Sequence, residues 1–379
     1  MYLLPKPKTI KEQDGQMLLC HSTHIVMTKE VAETEMHAAK RLQEAIRQET
    51  GLILPFSVGE VREGDLSLGI AKTLPEQTYE ITIDEKGGQI SGGDGAGVLY
   101  GVETFCQIVQ QCGGILPCVQ IQDAPDMPNR GYYFDQTRGR VLKLEELKKI
   151  ADRMCRYKLN QLQLYVEHTY LFRDFSEMWR DQTPLTAEEI LELDSYCRER
   201  HIELVPSLAS FGHLCTLLST KTYGDLCEME DSWKEPFSFW NRMRYHTINV
   251  SDERSLPLIK KMIAEYMQLF SSNKFNICAD ETFCLGKYKS KKLAEERGVH
   301  RLYIDYVKEL AQFLVENGKI PMFWGDIIWN SPELMKELPE SMICLNWGYA
   351  PEQREDETRA IAQTGAVQYL CPGVCGWNQ

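Results

Sequence analysis

Apolar and polar positions divide the chain into two stretches with different patterns. From residue 1 to about 125, helical and strand-like segments alternate without a repeating unit. In Glu30–Gly51, apolar residues recur at helical spacing and a glycine ends the run, so we predict one helix. Short apolar runs predict three strands, at Leu66–Ile70, Tyr79–Ile83 and Gln89–Ser91. A hairpin turn at Glu85–Gly88 is predicted to join the last two. Residues 1–125 are therefore predicted to form a small accessory α+β domain.

A glycine-rich segment, Ser91–Gly101, looks at first like a phosphate-binding loop. It does not fit the GxGxxG spacing and follows no long buried strand, so nucleotide binding is not expected. We interpret it as a flexible lead-in to a packing helix at Val98–Gln110. No cofactor is predicted.

After a linker rich in Pro and Asp, Gln122–Arg130, strand-like runs alternate with helix-like stretches. Seven strands are predicted to begin at Gly131, Leu159, Ile202, Lys274, Lys319, Ser341 and Ala366. Helices are predicted at Lys143–Tyr157, Thr186–Arg200, Ser255–Phe270, His300–Asn317, Pro332–Lys336 and Glu352–Thr364. This alternation predicts an α/β fold, a (β/α)8 TIM barrel over residues 126–379. Its eighth strand has no counterpart in the sequence, so we expect a barrel truncated at its C-terminal end.

The charge balance restricts the class of partner. The chain has 42 Lys and Arg against 55 Asp and Glu, a net charge of −13, which argues against nucleic acids and anionic membranes. No apolar run is long enough for a membrane helix, and prolines occupy the start where a signal peptide would be apolar, so a cytoplasmic location is expected. A small neutral substrate fits this balance, and the pattern says nothing of the oligomeric state.

Cysteines give no sign of a metal centre. Their number, 13, is odd, and no CxxC pair occurs, which is typical of reduced, buried thiols. Cys371 and Cys375 lack the second ligand pair of a structural zinc site. We therefore predict no bound metal.

Polar and aromatic residues follow the predicted barrel strands. Active sites of such barrels lie at the carboxyl ends of the strands, so we expect these side chains to share one site. In strand order they are Asp135 and Arg138, Glu167 and His168, His213, Asp280 and Glu281, Trp324 and Asp326, Asn346 and Trp347, and Trp377 and Asn378. Carboxylates, a guanidinium and indole rings together suit a carbohydrate, because they supply acids, hydroxyl ligands and flat apolar faces.

Each of these residues also has a purely structural explanation. The pair Asp280–Glu281 would suit the N-cap and first turn of a helix, although its position after the apolar run FNICA favours chemistry. His213 would serve as a hydrogen-bonded loop histidine, and the three tryptophans would serve as core residues. Arg138 would do no more than pair with Asp135.

Several of these segments, in this order, resemble glycoside hydrolase family 20, the β-N-acetylhexosaminidases. The resemblance is carried by RGYYFDQTR with Asp135 and Arg138, by Lys158-Leu159-Asn160, by Phe211-Gly212-His213 and by Asp280–Glu281. In addition, Tyr79–Gln107 is similar to the accessory α+β domain that precedes the barrel in that family.

The resemblance implies exo-acting hydrolysis of a terminal N-acetylhexosamine, with the acetamido oxygen of the substrate as nucleophile. It implies that Glu281 is the general acid and base and that Asp280 orients the acetamido group. Substrate-binding residues implied or suggested by position are Arg138 for the sugar hydroxyls, Trp324 and Trp347 for the acetamido pocket, His213 beside the acid, and Glu167, Asp326 and Trp377.

The sequence departs from the family at three places. Cys278–Ala279 stands where a glycine pair is usual, strand two ends in Glu167–His168, and Gly373–Asn378 has no clear counterpart of the family tyrosine. Two alternatives stay open: a catalytically silent carbohydrate-binding barrel, and an ordinary retaining β-glycosidase that pairs Glu281 with Asp326 or Glu167. A preference for GlcNAc or GalNAc is not predicted.

Overall fold

The computed structural model describes residues 1–352 and 354–374, which form two compact units. The first comprises Met1–Tyr132, Glu145–Gln161 and Ser195–Glu203. The second comprises Tyr133–Leu144, Leu162–Asp194 and the chain from Leu204 onward. Two segments that the hydrophobic pattern places in the barrel stretch thus group with the N-terminal residues.

A seven-stranded mixed sheet forms the centre of the first unit. Its strands are β1 Thr9–Leu18, β2 Ile25–Met27, β3 Phe56–Val58, β4 Leu66–Ile70, β5 Tyr79–Asp84, β6 Gly87–Gly92 and β7 Ile115–Asp123. They lie in the order β1-β7-β5-β6-β4-β2-β3, antiparallel from β1 to β6 and parallel from β6 to β3. The α+β class is as predicted, with the three predicted strands at β4, β5 and β6.

Three helices belong to the same unit: α1 Lys29–Thr34, α2 Met36–Thr50 and α3 Gly95–Cys112. The sequence predicts one helix where α1 and α2 lie, and that prediction is wrong at Glu35. This residue interrupts the helix, and its buried carboxylate contacts His201 Nε2 at 2.8 Å. The predicted end is confirmed, because Gly51 caps α2 in the left-handed region with φ 77°.

The glycine-rich segment before α3 is closely packed, which corrects the flexible lead-in expected from sequence. Asp94 caps α3 by accepting a hydrogen bond from Gly97 N at 2.8 Å. A Cβ at Gly93 would lie 1.9 Å from Pro75 O, and one at Gly97 would lie 2.2 Å from Thr78 O. The glycines therefore let two backbone segments approach closely, which is a packing role and not a phosphate-binding one.

This packing predicts different effects for two glycine substitutions. Gly93→Ala should lower the free energy of unfolding by about 1–3 kcal/mol or more, because the added carbon meets a backbone carbonyl that cannot rotate away. Gly114→Ala is the matched control, since its nearest neighbour would be Thr50 Cγ2 at 3.6 Å. Urea unfolding of both variants measures the difference. Equal stabilities would contradict the close packing.

The second sheet contains seven strands whose spatial order follows the chain. They are β8 Gly131–Asp135, β9 Gln161–Val166, β10 Glu203–Leu208, β11 Lys274–Asn276, β12 Ile320–Trp324, β13 Ile343–Gly348 and β14 Val367–Pro372. Neighbours from β10 to β14 pair in parallel. All seven predicted strands are confirmed, and β8 and β14 lie at the two ends of the sheet in the described chain. The arrangement is a partial TIM barrel.

Helices separate most of these strands. They are α4 Leu144–Arg156, α5 Ser176–Trp179, α6 Ala187–Arg198, α7 Cys215–Leu218, α8 Phe239–Arg244, α9 Ser255–Met267, α10 Lys291–Arg297, α11 Val299–Glu316 and α12 Glu355–Gln363. The predicted helix at Pro332–Lys336 is a 3-10 helix, Pro332–Glu337. Throughout residues 1–352 and 354–374, no helix is long and apolar enough to cross a membrane.

Candidate active site

The acidic pair lies on an irregular segment after β11. Three of its residues have positive φ angles: Cys278 at 58°, Ala279 at 63° and Glu281 at 49°. Non-glycine residues adopt this region at a cost, and such residues cluster at functional sites. No helix starts at Asp280, and the next helix after β11 is α10. The N-cap explanation of the pair is therefore wrong.

His213 lies between the two carboxylates. Its Nε2 is 3.3 Å from Asp280 Oδ2 and 3.3 Å from Glu281 Oε2, and its side chain is 1% exposed. The loop after β10 brings it there, and Gly212 permits the approach, because a Cβ at Gly212 would be 2.5 Å from Asp280 O. The structure thus brings together three residues of the candidate site named from the sequence, His213, Asp280 and Glu281.

The three groups carry linked charges. Burial disfavours the imidazolium, but the Asp280 charge and contacts with both carboxylates outweigh burial and raise the pKa of His213 to about 10. Burial also acts to raise the pKa of Asp280, and the His213 and Arg138 charges reverse this and hold it below its ordinary value. At neutral pH the site thus contains an imidazolium and an ionised Asp280. Asp280 Oδ1 is buried and makes no hydrogen bond within the described chain.

The His213 charge predicts how stability depends on pH. The folded pKa lies above the value of about 6.5 for an unfolded histidine. The ion pair therefore stabilises the fold fully below about pH 6.5, and this stabilisation is lost as the pH rises through about 10. The free energy of unfolding of the wild type should exceed that of His213→Gln by an amount that falls by a few kcal/mol as the pH rises from about 6.5 to about 10. This expectation uses roughly 1.4 kcal/mol per unit of pKa shift.

Urea unfolding at several pH values between about 7 and 10 measures this difference. His21→Gln, at an exposed position, is the control. A difference between wild type and His213→Gln that stays constant over this range would show that His213 is neutral.

Asp326 supports the backbone of the acidic pair. It follows β12, and its Oδ2 accepts a hydrogen bond from Glu281 N at 2.9 Å. Burial and the Asp280 charge raise the pKa of Asp326 well above its ordinary range. Trp324, at the end of the same strand, is 7% exposed and stands edge-on to Tyr133 at 4.9 Å between ring centroids.

Arg138 is fixed by the residues around it. Its Nε donates to Asp135 Oδ2 at 2.7 Å, and its guanidinium lies 4.6 Å from the centre of the Tyr165 ring. The pairing expected as an alternative is present. Because the Arg138 charge also lowers the pKa of Asp280, the guanidinium and the acidic pair belong to one electrostatic site.

Glu167 is buried and paired. It accepts hydrogen bonds from Arg242 Nη2 at 3.0 Å and Tyr165 OH at 2.8 Å. Burial acts to raise its pKa, but the charges of Arg242 and Arg138 hold it below its ordinary value. The neighbouring His168 contacts Thr216 Oγ1 at 3.3 Å. Glu167 is thus tied to the same group of charges as Arg138.

Trp347, at the end of β13, packs with two other aromatic residues. Its ring centroid is 5.8 Å from that of Trp329 and 5.1 Å from that of Tyr349. The predicted Trp377 lies outside the described residues.

Two comparisons with family sequence patterns identify the chain. Residues 1–124 match the pattern described as glycosyl hydrolase family 20, domain 2. Residues 128–373 match the one described as glycosyl hydrolase family 20, catalytic domain. The chain belongs to glycoside hydrolase family 20. The resemblance seen in the sequence is thereby confirmed, and the protein is a member of a family of glycoside hydrolases.

Two of the curated relatives of this family 20 protein are named β-hexosaminidases. The one from Porphyromonas gingivalis is 24% identical over 411 residues, covering 99% of this chain and 50% of the relative. The one from Vibrio furnissii is 26% identical, covering 74% of this chain and 48% of the relative. The chain therefore spans about half the length of these relatives.

Solved structures share the fold. The family 20 β-N-acetylhexosaminidase of Streptomyces coelicolor A3(2) has a TM-score of 0.79 at 19% identity, covering 98% of this chain and 74% of its own. A mutant Streptomyces plicatus β-hexosaminidase in complex with product GlcNAc has a TM-score of 0.81 at 18% identity, with the same coverage.

Sequence reasoning missed two residues of this family 20 site. Arg242 pairs with Glu167, and Met243 Sδ is 3.2 Å from Arg138 Nη1. Both lie on α8, a helix of six residues with no buried residue, so the sequence carries no hydrophobic periodicity there. The available signal was compositional, because the segment Phe237–Arg244 combines aromatic and cationic residues without a charge run.

Metal ligands are not gathered in the described part of this family 20 chain. No three His, Cys, Asp or Glu side chains there could hold an ion together, and its cysteines are free thiols. Cys375, one of the two cysteines considered in the sequence, lies outside that part.

Proposed function

We propose that this protein is an exo-acting β-N-acetylhexosaminidase that removes a terminal GlcNAc or GalNAc with retention of configuration. The observation that carries the proposal is the placement of the buried His213 within 3.3 Å of both Asp280 and Glu281. The contact with His213 lowers the pKa of Asp280 and so keeps that carboxylate ionised, while Glu281 lies beside it for proton transfer. The names of the curated relatives support the same activity.

The proposed reaction uses the acetamido group of the substrate. Its carbonyl oxygen attacks the anomeric carbon, the glycosidic bond breaks, and the leaving oxygen takes a proton from Glu281. Asp280 accepts a hydrogen bond from the acetamido N–H as this group becomes a cationic oxazolinium ring. The buried Oδ1 of Asp280, which makes no hydrogen bond in the described chain, is suited to that contact. Water then attacks the same carbon, the bond between that carbon and the acetamido oxygen breaks to restore the acetamido group, and Glu281 takes a proton from the water.

The remaining residues would bind the sugar. In this proposal Arg138 contacts the hydroxyls, and Trp324 and Trp347 flank the acetamido group. Glu167 and Asp326 act through the groups they hold, Arg242 and the Glu281 backbone. These existing contacts leave neither Glu167 nor Asp326 as a favourable separate nucleophile, so the ordinary retaining mechanism gains no support.

The test is hydrolysis of aryl β-GlcNAc, β-GalNAc and β-Glc substrates side by side. We expect turnover of the acetamido sugars and very little of the glucoside, because the glucoside lacks the nucleophile. A thiazoline analogue of the intermediate should inhibit. Comparable rates on glucoside and GlcNAc substrates would refute substrate assistance, and no hydrolysis of any of them would favour a silent binding barrel.

A further inference from the structure

Six exposed aromatic side chains of the second unit lie on two segments of the chain, residues 233–240 and 283–288. We call them the aromatic rim: Trp233, Phe237, Phe239, Trp240, Phe283 and Tyr288. Their exposed fractions run from 37% to 85%. Scattered apolar residues on a surface need no explanation, but large exposed rings on segments that contact each other favour a binding surface.

Contacts on α8 join the rim to the candidate active site. Phe239 and Trp240 begin this helix, with ring centroids 6.0 Å apart. Two residues further along, Arg242 Nη2 lies 3.0 Å from Glu167 Oε2. The end of the helix contacts the loop after the acidic pair, since Cys284 Sγ is 3.0 Å from Arg244 O. The segments that carry the rim are therefore in contact with residues of the candidate site.

Phe283 places the rim on the side of the acid. Its backbone N–H donates to Glu281 O at 2.8 Å, so the ring follows the proposed proton donor by two residues. A general acid protonates the leaving oxygen, and the leaving group must therefore pass Glu281. The part of a substrate beyond the cleaved bond would extend toward this side of the site.

A buried glutamate anchors the rim segments. Glu228 is fully buried, and its Oε1 accepts hydrogen bonds from Ser290 Oγ at 2.7 Å and Ser290 N at 3.0 Å. Cys227 Sγ contacts Tyr245 O at 3.2 Å. These contacts tie the chain around α8 to the loop that bears Tyr288. The exposed rings are consequently presented by a fixed frame.

We propose that the aromatic rim binds the leaving-group side of an oligosaccharide substrate, with sugar rings stacked on Trp240 and its neighbours. This inference rests on the proposed function. The C–H face of a pyranose carries slight positive charge and suits the negative face of an indole. Cationic groups that can donate hydrogen bonds to sugar hydroxyls lie near two of the rings. The Arg244 guanidinium is 5.0 Å from the centre of the Trp240 ring, and Lys234 Nζ is 5.2 Å from the centre of the Trp233 ring.

The kinetic test compares two substrates that differ beyond the cleaved bond. One is the β-1,4-linked tetramer of GlcNAc, and the other is N-acetyl-β-glucosaminyl fluoride, whose leaving group has no ring. Trp240→Ala should raise KM for the tetramer by about 3–10-fold, the size of a lost aromatic contact, and leave hydrolysis of the fluoride unchanged. Trp240→Phe should recover most of the loss, and Leu191→Ala, which removes an exposed side chain from α6, should change neither substrate.

Measuring glycan binding without hydrolysis tests the aromatic rim independently of the proposed enzymatic activity. Isothermal titration of the Glu281→Gln protein with tetramer and with monomeric GlcNAc should show weaker tetramer binding when Trp240→Ala is added, with monomer binding unchanged. Absence of hydrolysis by wild type together with this binding difference would overturn the proposed activity and keep the rim as a glycan surface. Equal effects on both ligands, or no effect on either ligand, would overturn the proposed role of the aromatic rim.

Discussion

Replacing Glu281 with glutamine is expected to lower kcat/KM for an unactivated GlcNAc disaccharide by about 10²–10⁴-fold, the usual contribution of a general acid. With a dinitrophenyl leaving group, which departs without protonation, the loss in the bond-breaking step should be at least about tenfold smaller. Glutamine keeps the size of the side chain and its place beside His213, so the comparison isolates the proton. Initial rates on the two substrates measure it.

An exposed glutamate supplies the control for this experiment. Glu296→Gln, on α10, removes one negative charge from the surface and should leave both rates unchanged. Equal losses on the activated and unactivated substrates in Glu281→Gln would mean that Glu281 does not protonate the leaving group. The acid would then have to be sought elsewhere in the site.

Replacing Asp280 with asparagine is expected to lower turnover of both substrates by about 10²–10³-fold, because misplacement of a reacting group costs rates of this order. The asparagine cannot carry the charge that faces His213, and the acetamido oxygen loses its orienting partner. Leaving-group quality should not matter, since the defect lies in the attack. Affinity for a thiazoline inhibitor should fall in parallel with kcat.

Asp181→Asn, at an exposed position, controls for loss of a carboxylate. The pKa of His213 provides a second readout, because removing the Asp280 charge should bring it down from about 10. A variant that lost activity only on the unactivated substrate would assign Asp280 to proton transfer and contradict the proposed role.

The barrel strands were predictable because both faces of a parallel sheet are covered. β9 reads QLQLYV and is buried throughout, and β10 reads ELVPSL and is nearly so. Because both faces are covered, apolar residues make up most of each strand, although Gln161 and Gln163 are also buried. By contrast, β1 reads TIKEQDGQML, lies at the edge of its sheet and is largely exposed, so its composition does not distinguish it from a loop. The short helices α5, α7, α8 and α10 were missed because four to seven residues show no helical period.

The site shows the same division. Position after an apolar strand favoured chemistry for Asp280 and Glu281, and the family resemblance added His213 beside them. Barrel geometry brings such strand ends together whatever their distance along the chain. Sequence alone thus determined the family, the partial barrel and the residues offered to the site. Only the tertiary structure decided that His213 contacts both acids, that Asp326 holds the Glu281 backbone and that Arg242 reaches Glu167. Such contacts depend on loop paths and on burial, and burial sets the charge of each group through its neighbours, which no pattern along one chain records.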